Sequence, residues 1–508
     1  MNWSEVLFFI LYLLALGFYA LAMCFILAYG LLQMQLFRAY LTPEKTRPAE
    51  NKYTPTITVQ LPVYNEGLIA CRLIDAVCRF DYPSDKLEIQ VLDDSTDESL
   101  HTTLSRVAYW QRNGVQIRHL HRTDRSGFKA GALKEGLEQA TGELIAIFDA
   151  DFLPDPGFLK KCVPPFQEEK IAVVQTRWAH INRNESLLTQ VQALALDMHF
   201  SIEQAGRERL GVFLNFNGTA GIWRKKAILD AGNWEADTLT EDLDLSYRAQ
   251  MQGWKIHFLE EVATPAELPA YVSAIQSQQH RWNKGGAQVA SKHLRKIWSG
   301  SFPWKIKLHA TFHLLNSSVF VALLIVAFSS VVIGPGLARW PLPEVFRTIS
   351  WVFLLATVAL ANNFLLAFRK YSGKPTLLFP FYFIAFLLVS MGISLHNGKA
   401  VLGGFLGKYS DFIRTPKKGD ASNLGHAIRY LRQGRSQTIT ELVAGGFFIA
   451  VTWIGLFNGW YAFALLHGML GIGYTGIAFT GIWHSASIIK AAQHGQTGQA
   501  GTPSSFTK

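Results

Sequence analysis

The chain has 508 residues, 49% of them hydrophobic and only 17% charged, against about 25% charged in an average soluble domain. With a mean hydropathy of +0.14, that balance excludes a disordered chain and argues against a purely soluble one. The net charge of +10 fits the positive-inside bias of membrane proteins, and no basic stripe interleaves with aromatic residues, so nucleic-acid binding is not expected.

Val6–Leu32 carries no Asp, Glu, Lys or Arg and is long enough to cross a bilayer. The leader before it is acidic at Glu5, unlike a cleaved signal. Positive charge follows at Arg38, Lys45 and Arg47. The pattern predicts an N-terminal span within 1–37, with the next segment on the cytoplasmic side. Residues 38–307 have the mixed charge of a soluble domain, roughly 270 residues and enough for one large core.

Within that domain, apolar and β-branched runs predict strands at Ile57–Leu61, Leu87–Leu92, Gln116–Leu120, Glu143–Phe148 and Ile171–Gln175. Helical patterns lie between most of them, over about 67–80, 97–112, 128–140 and 155–161. Alternating strands and helices predict a parallel α/β sheet, which binds ligands beyond the carboxyl ends of its strands. Polar residues fall at those ends: Tyr64-Asn65-Glu66, Asp93-Asp94 and Asp149-Ala150-Asp151. Taken singly, each cluster also fits a turn or a helix cap. On an extended chain, Asp149 and Asp151 would share a face and converge on one divalent cation.

Between the acidic pairs, the glycines of Ser126-Gly-Phe-Lys-Ala-Gly-Ala-Leu133 permit close backbone approach to a ligand. Lys129, near a helix start, suits a phosphate. Thr240-Glu241-Asp242 precedes an amphipathic helix and by itself reads as an N-cap. At the end of the domain, in Gln278-Gln-His-Arg281-Trp282, Arg281 suits a phosphate and Trp282 a sugar ring, although a juxtamembrane basic–aromatic anchor has the same composition. Cys24, Cys71, Cys78 and Cys162 show no metal-ligand spacing.

After the domain come the apolar stretches His309–Leu337, Ile349–Phe368, Leu377–Leu395 and Leu442–Ile489. The last is long enough for two helices, which makes about six hydrophobic segments in all. Residues 399–435 hold eight Lys and Arg and belong on the cytoplasmic side. Three simple spans between the domain and that stretch would place it outside. One segment of the 308–398 region is therefore expected to lie in the interface or to re-enter. An interfacial amphipathic helix is expected over 399–413, within a 399–441 interface region. Two C-terminal spans are expected within 442–490, and the Gly-, Ser-, Thr- and Gln-rich 491–508 reads as a disordered tail.

The ordered series Asp93-Asp94, Asp149-x-Asp151, Thr240-Glu-Asp242 and Gln278-x-x-Arg281-Trp282 resembles the D, DxD, TED, QxxRW signature of processive family 2 glycosyltransferases, the cellulose, mannan and related synthases. The longer runs Ile89-QVLDDSTD-Glu98, Phe128-KAGALKEG-Leu137, Ile147-FDADF-Leu153, Phe216-NGTAGIWR-Lys225 and Gln278-QHRW-Asn283 resemble the cellulose-synthase-like proteins of plants. Within that group they are most similar to the glucomannan mannosyltransferase and xyloglucan-backbone glucan synthase branches. The resemblance covers about residues 53–295.

It implies an α/β GT-A (Rossmann-like) catalytic domain inserted in an α-helical transmembrane bundle. It implies an inverting, processive hexosyltransferase that uses Mg²⁺ or Mn²⁺ and takes UDP-glucose or GDP-mannose. The growing product would be a β-linked, β-1,4, glucan or mannan extruded across the bilayer. The protein would lie in the plasma or inner membrane of a bacterium, or in the Golgi of a plant. Accessory subunits are not legible.

Residue by residue, the resemblance gives Asp93 and Asp94 to the nucleotide, Lys129 to the diphosphate, and Asp149 and Asp151 to nucleotide and metal. Asp242 becomes the catalytic base, with Glu241 beside it at the acceptor. Gln278 and Trp282 would hold the acceptor end and Arg281 the diphosphate. Asn217, Gly218 and Thr219 would line the acceptor site, Asn217 standing where cellulose synthases have Cys. Phe412, Thr415 and Lys417 would belong to a gating loop, in which Arg414 replaces a usually apolar residue. Two alternatives are a transferase that adds one sugar to a lipid phosphate, which usually lacks QxxRW, and a transporter or receptor with a cytosolic domain.

Overall fold

The computed structural model describes residues 2–43, 53–340, 344–408 and 424–499. Its central domain is built on one seven-stranded sheet: β1 (Ile57–Val63), β2 (Leu87–Asp93), β3 (Ile117–His121), β4 (Leu144–Ile147), β5 (Ile171–His180), β6 (Gly221–Arg224) and β7 (Lys255–Ala266). The spatial order is β3-β2-β1-β4-β6-β5-β7. Each of the predicted strands is present, and β1 to β4 pair in parallel as expected. The sheet is mixed rather than parallel, because β6 runs antiparallel to both of its neighbours. Neither β6 nor β7 was legible. β6 spans only four residues, too few for a period, and β7 holds Glu260, Glu261 and Pro265, which break a strand pattern.

Both faces of the sheet are covered, so its strands are apolar on successive residues. Ile145 and Ile147 join one core and Leu144 and Ala146 the other, the alternation that a strand enforces. The first core runs into the membrane frame. Beside sheet residues it contains Phe364, Phe368, Tyr382 and Phe383 of the later apolar helices. Domain and frame therefore share one hydrophobic interior.

Among the described residues, four helices are long and apolar enough to cross a membrane: Trp3–Tyr40, Ser318–Leu337, Gln437–Phe457 and Tyr461–Ser487. A further pair, Thr376–Gly392 and Ser394–Phe405, bends by 53° and is either one broken span or a re-entrant loop. This gives four or five spans against the six segments expected. The segment expected at 349–368 lies inside the Glu344–Tyr371 helix. The stretch expected to be amphipathic over 399–413 is helical through Phe405, and from residue 409 it lies outside the described residues. The last helix runs on to Gln499, into the segment expected to be disordered.

Candidate active site

The carboxyl ends of β1, β2 and β4 open into a cleft of about 220 Å³. Tyr64 and Glu66, Asp94, and Asp149 and Asp151 line it from those three strand ends. One wall of the cleft is therefore the sheet. The Arg125 guanidinium lies 3.4 Å from the centre of the Tyr64 ring, and both residues line the cleft. Asp94 accepts two hydrogen bonds from Arg122, at 2.7 and 2.6 Å. Arg122 also donates to the carbonyl of Phe128 at 3.0 Å, which ties the loop before Lys129 to the strand end.

Asp93 behaves differently. It is fully buried, meets His119 at 2.9 Å and accepts from the Ser95 N–H at 2.8 Å. It is not among the residues lining the cleft. The cause is the strand itself: neighbouring side chains point to opposite faces, so only one of the pair turns inward. Of the two aspartates expected at the nucleotide, Asp94 lines the cleft and Asp93 does not.

The DxD segment is not extended as expected. β4 ends at Ile147, and the Phe152 N–H donates to the Asp149 carbonyl at 3.0 Å, which makes a turn. Asp149 and Asp151 still both line the cleft, so a turn rather than a pleat brings them together. The Asp149 N–H donates to Thr219 Oγ1 at 2.8 Å. Thr219 is buried and away from the cleft surface. It props the backbone of Asp149 and does not itself line the cleft, where it was expected among the acceptor residues. Lys129 Nζ donates to Asp149 Oδ1 at 2.5 Å and to the Gly218 carbonyl at 2.8 Å.

The second wall is helical. Glu241 and Asp242 begin the Glu241–Met251 helix, where the macrodipole favours negative charge. Thr240 stands at the N-cap but makes no capping bond. Instead, the Leu243 N–H donates to Asp242 Oδ1 at 2.8 Å. Gly218 has φ +80°, and a β-carbon there would sit 2.9 Å from Asp242 Oδ2. Only glycine allows this approach. Gln278, Arg281 and Trp282 come from the Val272–Ser299 helix. Their i, i+3, i+4 spacing puts them on one face, and all three line the cleft. Of the non-glycine residues with positive φ, Asn65 and Phe128 stand next to cleft residues. Strain of this kind, about 1–3 kcal/mol each, concentrates at functional sites.

Burial, followed by the charge of Glu241, raises the carboxyl of Asp242 above the ordinary aspartate range, with Lys129 working against the shift. Glu241 is raised as well, again by burial first. Burial disfavours the charge on Lys129, but Asp149, Glu241 and Asp242 overcome it and hold the ammonium above its usual value. One lysine thus serves three acidic groups, one of which is left a stronger base than a free aspartate.

Sequence reasoning missed several lining residues, among them Arg125, Trp178 and His180. Trp178 and His180 lie at the end of β5 and line the cleft, with Trp178 6.5 Å from Trp282, centroid to centroid. Their strand was predicted to stop at Gln175, so their alternation had no register to be read in. Phe412, Thr415 and Lys417 lie outside the described residues. A separate acidic group, Glu235, Asp237 and Asp244, has metal-like spacing. Lys292 Nζ fills it, at 2.6, 2.8 and 3.0 Å from the three carboxylates.

Residues 55–285 match the model of the glycosyltransferase-like family 2. The chain is 34% identical over 447 residues to glucomannan 4-β-mannosyltransferase 1 of Oryza sativa subsp. japonica, covering 83% of each chain. It is 35% identical over 425 residues to glucomannan 4-β-mannosyltransferase 9 of Arabidopsis thaliana, covering 80% of this chain and 77% of that one. Among solved structures it resembles the mannosyltransferase PcManGT of Pyrobaculum calidifontis, determined with GDP-Man and Mn²⁺. The TM-score there is 0.53 at 22% identity, over 78% of this chain and 100% of the other, which is a likeness of fold. On sequence, the chain belongs to glycosyltransferase family 2, among the cellulose-synthase-like proteins, and is a hexosyltransferase with a GT-A domain.

Proposed function

We propose that this chain is an inverting, processive membrane synthase that extends a β-1,4-linked mannan or glucomannan from GDP-mannose. The donor follows the printed activity of its relatives, glucomannan 4-β-mannosyltransferases; UDP-glucose is the other donor of such chemistry. One observation carries the reading: Asp242, Asp149, Asp151 and Trp282, spread along the chain, line a single cleft.

The nucleotide lies along the sheet wall, near Tyr64, Arg125 and Asp94. Lys129 and Arg281 take the negative diphosphate. Asp149 and Asp151, two oxygen-donor side chains on one turn, suit a hard divalent cation such as Mg²⁺ or Mn²⁺. When bound, the cation neutralises charge on the departing diphosphate. The acceptor sugar lies against Trp282, with Gln278 and Glu241 at its hydroxyls. Asp242 takes the proton of the acceptor hydroxyl, and the freed oxygen attacks the anomeric carbon from the face opposite the diphosphate. The configuration inverts. A carboxylate raised above its ordinary range holds that proton better, which is what general-base catalysis asks of it.

The helix that carries Gln278, Arg281 and Trp282 also touches the membrane frame. Gln276 donates to Glu441 at 2.6 Å, and the Gln276 carbonyl meets His396 at 2.9 Å. Polar groups inside apolar helices mark transport paths, which supports extrusion of the polymer beyond Trp282. The test is to incubate membranes with radiolabelled GDP-mannose or UDP-glucose and to digest the product with β-mannanase and β-1,4-glucanase. A polymer resistant to both enzymes, or a single sugar on lipid, would overturn the reading. Product confined to the donor side of inverted vesicles would remove extrusion from it.

A further inference from the structure

Between the helices Leu187–Met198 and Gln204–Leu210, residues His199–Glu203 form one turn of π-helix. Such bulges are rare and frequently sit at functional sites. The turn brings the His199 ring to Glu203, with Nδ1 2.8 Å from Oε2. Glu203 is 3% exposed. Its other oxygen accepts from Gln33 Nε2, on the N-terminal apolar helix, at 2.6 Å. Burial works against its charge, but His199, Arg207 and Gln33 together keep the carboxyl below its ordinary range. Glu203 is therefore a carboxylate and can only accept, so Nδ1 of His199 carries a proton.

The other ring nitrogen, Nε2, lies 3.2 Å from Asn217 Oδ1. The same amide oxygen accepts from Asn215 Nδ2 at 2.8 Å. The Asn215 amide is itself oriented, donating to the Phe216 carbonyl at 3.3 Å. Turning the Asn217 amide over would set two N–H₂ groups against each other. An amide oxygen only accepts, so Nε2 of His199 also donates. His199 thus bridges the Glu203 carboxylate and the Asn217 amide. Two donors thus hold the Asn217 oxygen, while its amide nitrogen is buried with no hydrogen-bond partner among the described residues. Asn217 lines the cleft, one residue before Gly218 and its close contact with Asp242.

We propose that His199 is a positioning residue: paired with Glu203, it pins the Asn217 carbonyl so that the Asn217 amide N–H₂ is offered to an oxygen of the acceptor sugar beside Asp242. The inference rests on the acceptor reading given above and extends it to a device anchored on the N-terminal apolar helix through Gln33. An unpaired buried donor is costly, and a sugar oxygen arriving there would relieve it. Glu203 sets the proton on His199, His199 sets the amide, and the amide helps align the hydroxyl from which Asp242 takes its proton.

The experiment uses full-length protein in membranes, with sugar transfer from GDP-mannose and GDP binding measured side by side. Asn217→Asp keeps the shape but replaces the offered donor with an oxygen. Glu203→Gln removes the carboxylate that requires the His199 proton. Each is expected to lower kcat about 10- to 100-fold with the KM for GDP-mannose and GDP binding unchanged. His199→Phe is expected to do the same, and His199→Phe with Asn217→Ala to be no worse than Asn217→Ala alone, since residues acting as one unit are not additive. His199→Arg, which can donate to both Glu203 and Asn217, is expected to recover part of the loss. Fully additive losses, or GDP binding that falls in step with transfer, would overturn the proposal. If His199→Phe does not accumulate, the two shape-conserving variants carry the same test. Wild-type protein that adds only one sugar to lipid would overturn the polymer reading alone, and the same cycle is then measured on that product.

Discussion

The two walls of the cleft are assembled by different rules. On the sheet wall, Tyr64, Asp94 and Asp149 stand at or just beyond the ends of parallel strands. Their convergence follows from topology, because parallel strands end on one side. On the helix wall, Asp242, Asn217 and Trp282 come from a helix start, a loop and a helix face that no sheet register relates. They meet because glycines let backbones approach: Gly218 against Asp242, and Gly285 against Thr240. The sheet wall is a consequence of the fold. The helix wall is a consequence of packing, and its failure modes should be those of packing.

The largest break in that comparison is expected at Asp242. Asp242→Asn removes the proposed base and is expected to cost about 10²–10⁴-fold in transfer, with nucleotide binding at the sheet wall expected to persist. Radiolabelled polymer yield and GDP affinity measure the two halves separately. The wild-type enzyme is also expected to lose turnover as pH falls below neutrality. The proposed base must be the carboxylate, and the raised range of Asp242 brings protonation in at a higher pH than for an ordinary aspartate near about 3.9. A kcat profile flat down to that ordinary value would contradict the assignment.

Next comes the metal. Chelation with EDTA is expected to abolish transfer, and added Mg²⁺ or Mn²⁺ to restore it. Asp151→Asn should raise the concentration of metal required by about 10- to 100-fold and weaken GDP binding only in the presence of metal. An Asp151→Asn enzyme with an unchanged metal titration would move the cation elsewhere.

A smaller effect separates neighbours on the sheet wall. Asp94→Asn removes a carboxylate from the cleft surface and loosens Arg122, so GDP affinity should fall. Asp93→Asn leaves the cleft surface intact. It should instead lower stability by about 1–3 kcal/mol, the cost of disturbing a buried hydrogen-bonded group, visible in thermal unfolding with GDP affinity retained. Equal losses of affinity in both would show that β2 delivers both carboxylates to the nucleotide.

This pair also marks the limit of what was legible in sequence. Strand period and the rule of carboxyl ends located the sheet wall, but could not say which of two adjacent aspartates turns inward. That depends on where β2 stops relative to the pleat, and β2 runs to Asp93, one residue past the predicted end. On the helix wall, the motifs named Asp242, Gln278, Arg281 and Trp282 without showing what holds them. Trp178 and His180 were hidden because β5 continues to His180 against β7, a strand whose charges and proline concealed it. His199 was hidden because a π turn has no sequence signature. Local periods carry local structure, whereas these residues take their places from long-range partners.

The smallest expected effect tests whether the helix wall is held by packing. Gly285 and Gly286 are adjacent on one helix, and by propensity alone alanine should favour the helix by about 1 kcal/mol at either position. Their surroundings differ. A β-carbon at Gly285 would lie 2.5 Å from both Cγ2 and Oγ1 of Thr240, whereas at Gly286 the nearest atoms are 3.9 Å away. Gly285→Ala must push Thr240, and with it the start of the helix that carries Asp242. Overpacking costs about 1–3 kcal/mol, so Gly285→Ala should lower both the unfolding temperature and kcat while GDP affinity holds. Gly286→Ala should leave kcat unchanged and raise the unfolding temperature slightly. Should the two variants behave alike, the approach of this helix to Thr240 would not be what fixes Asp242, and the helix wall would owe its geometry to some contact other than glycine.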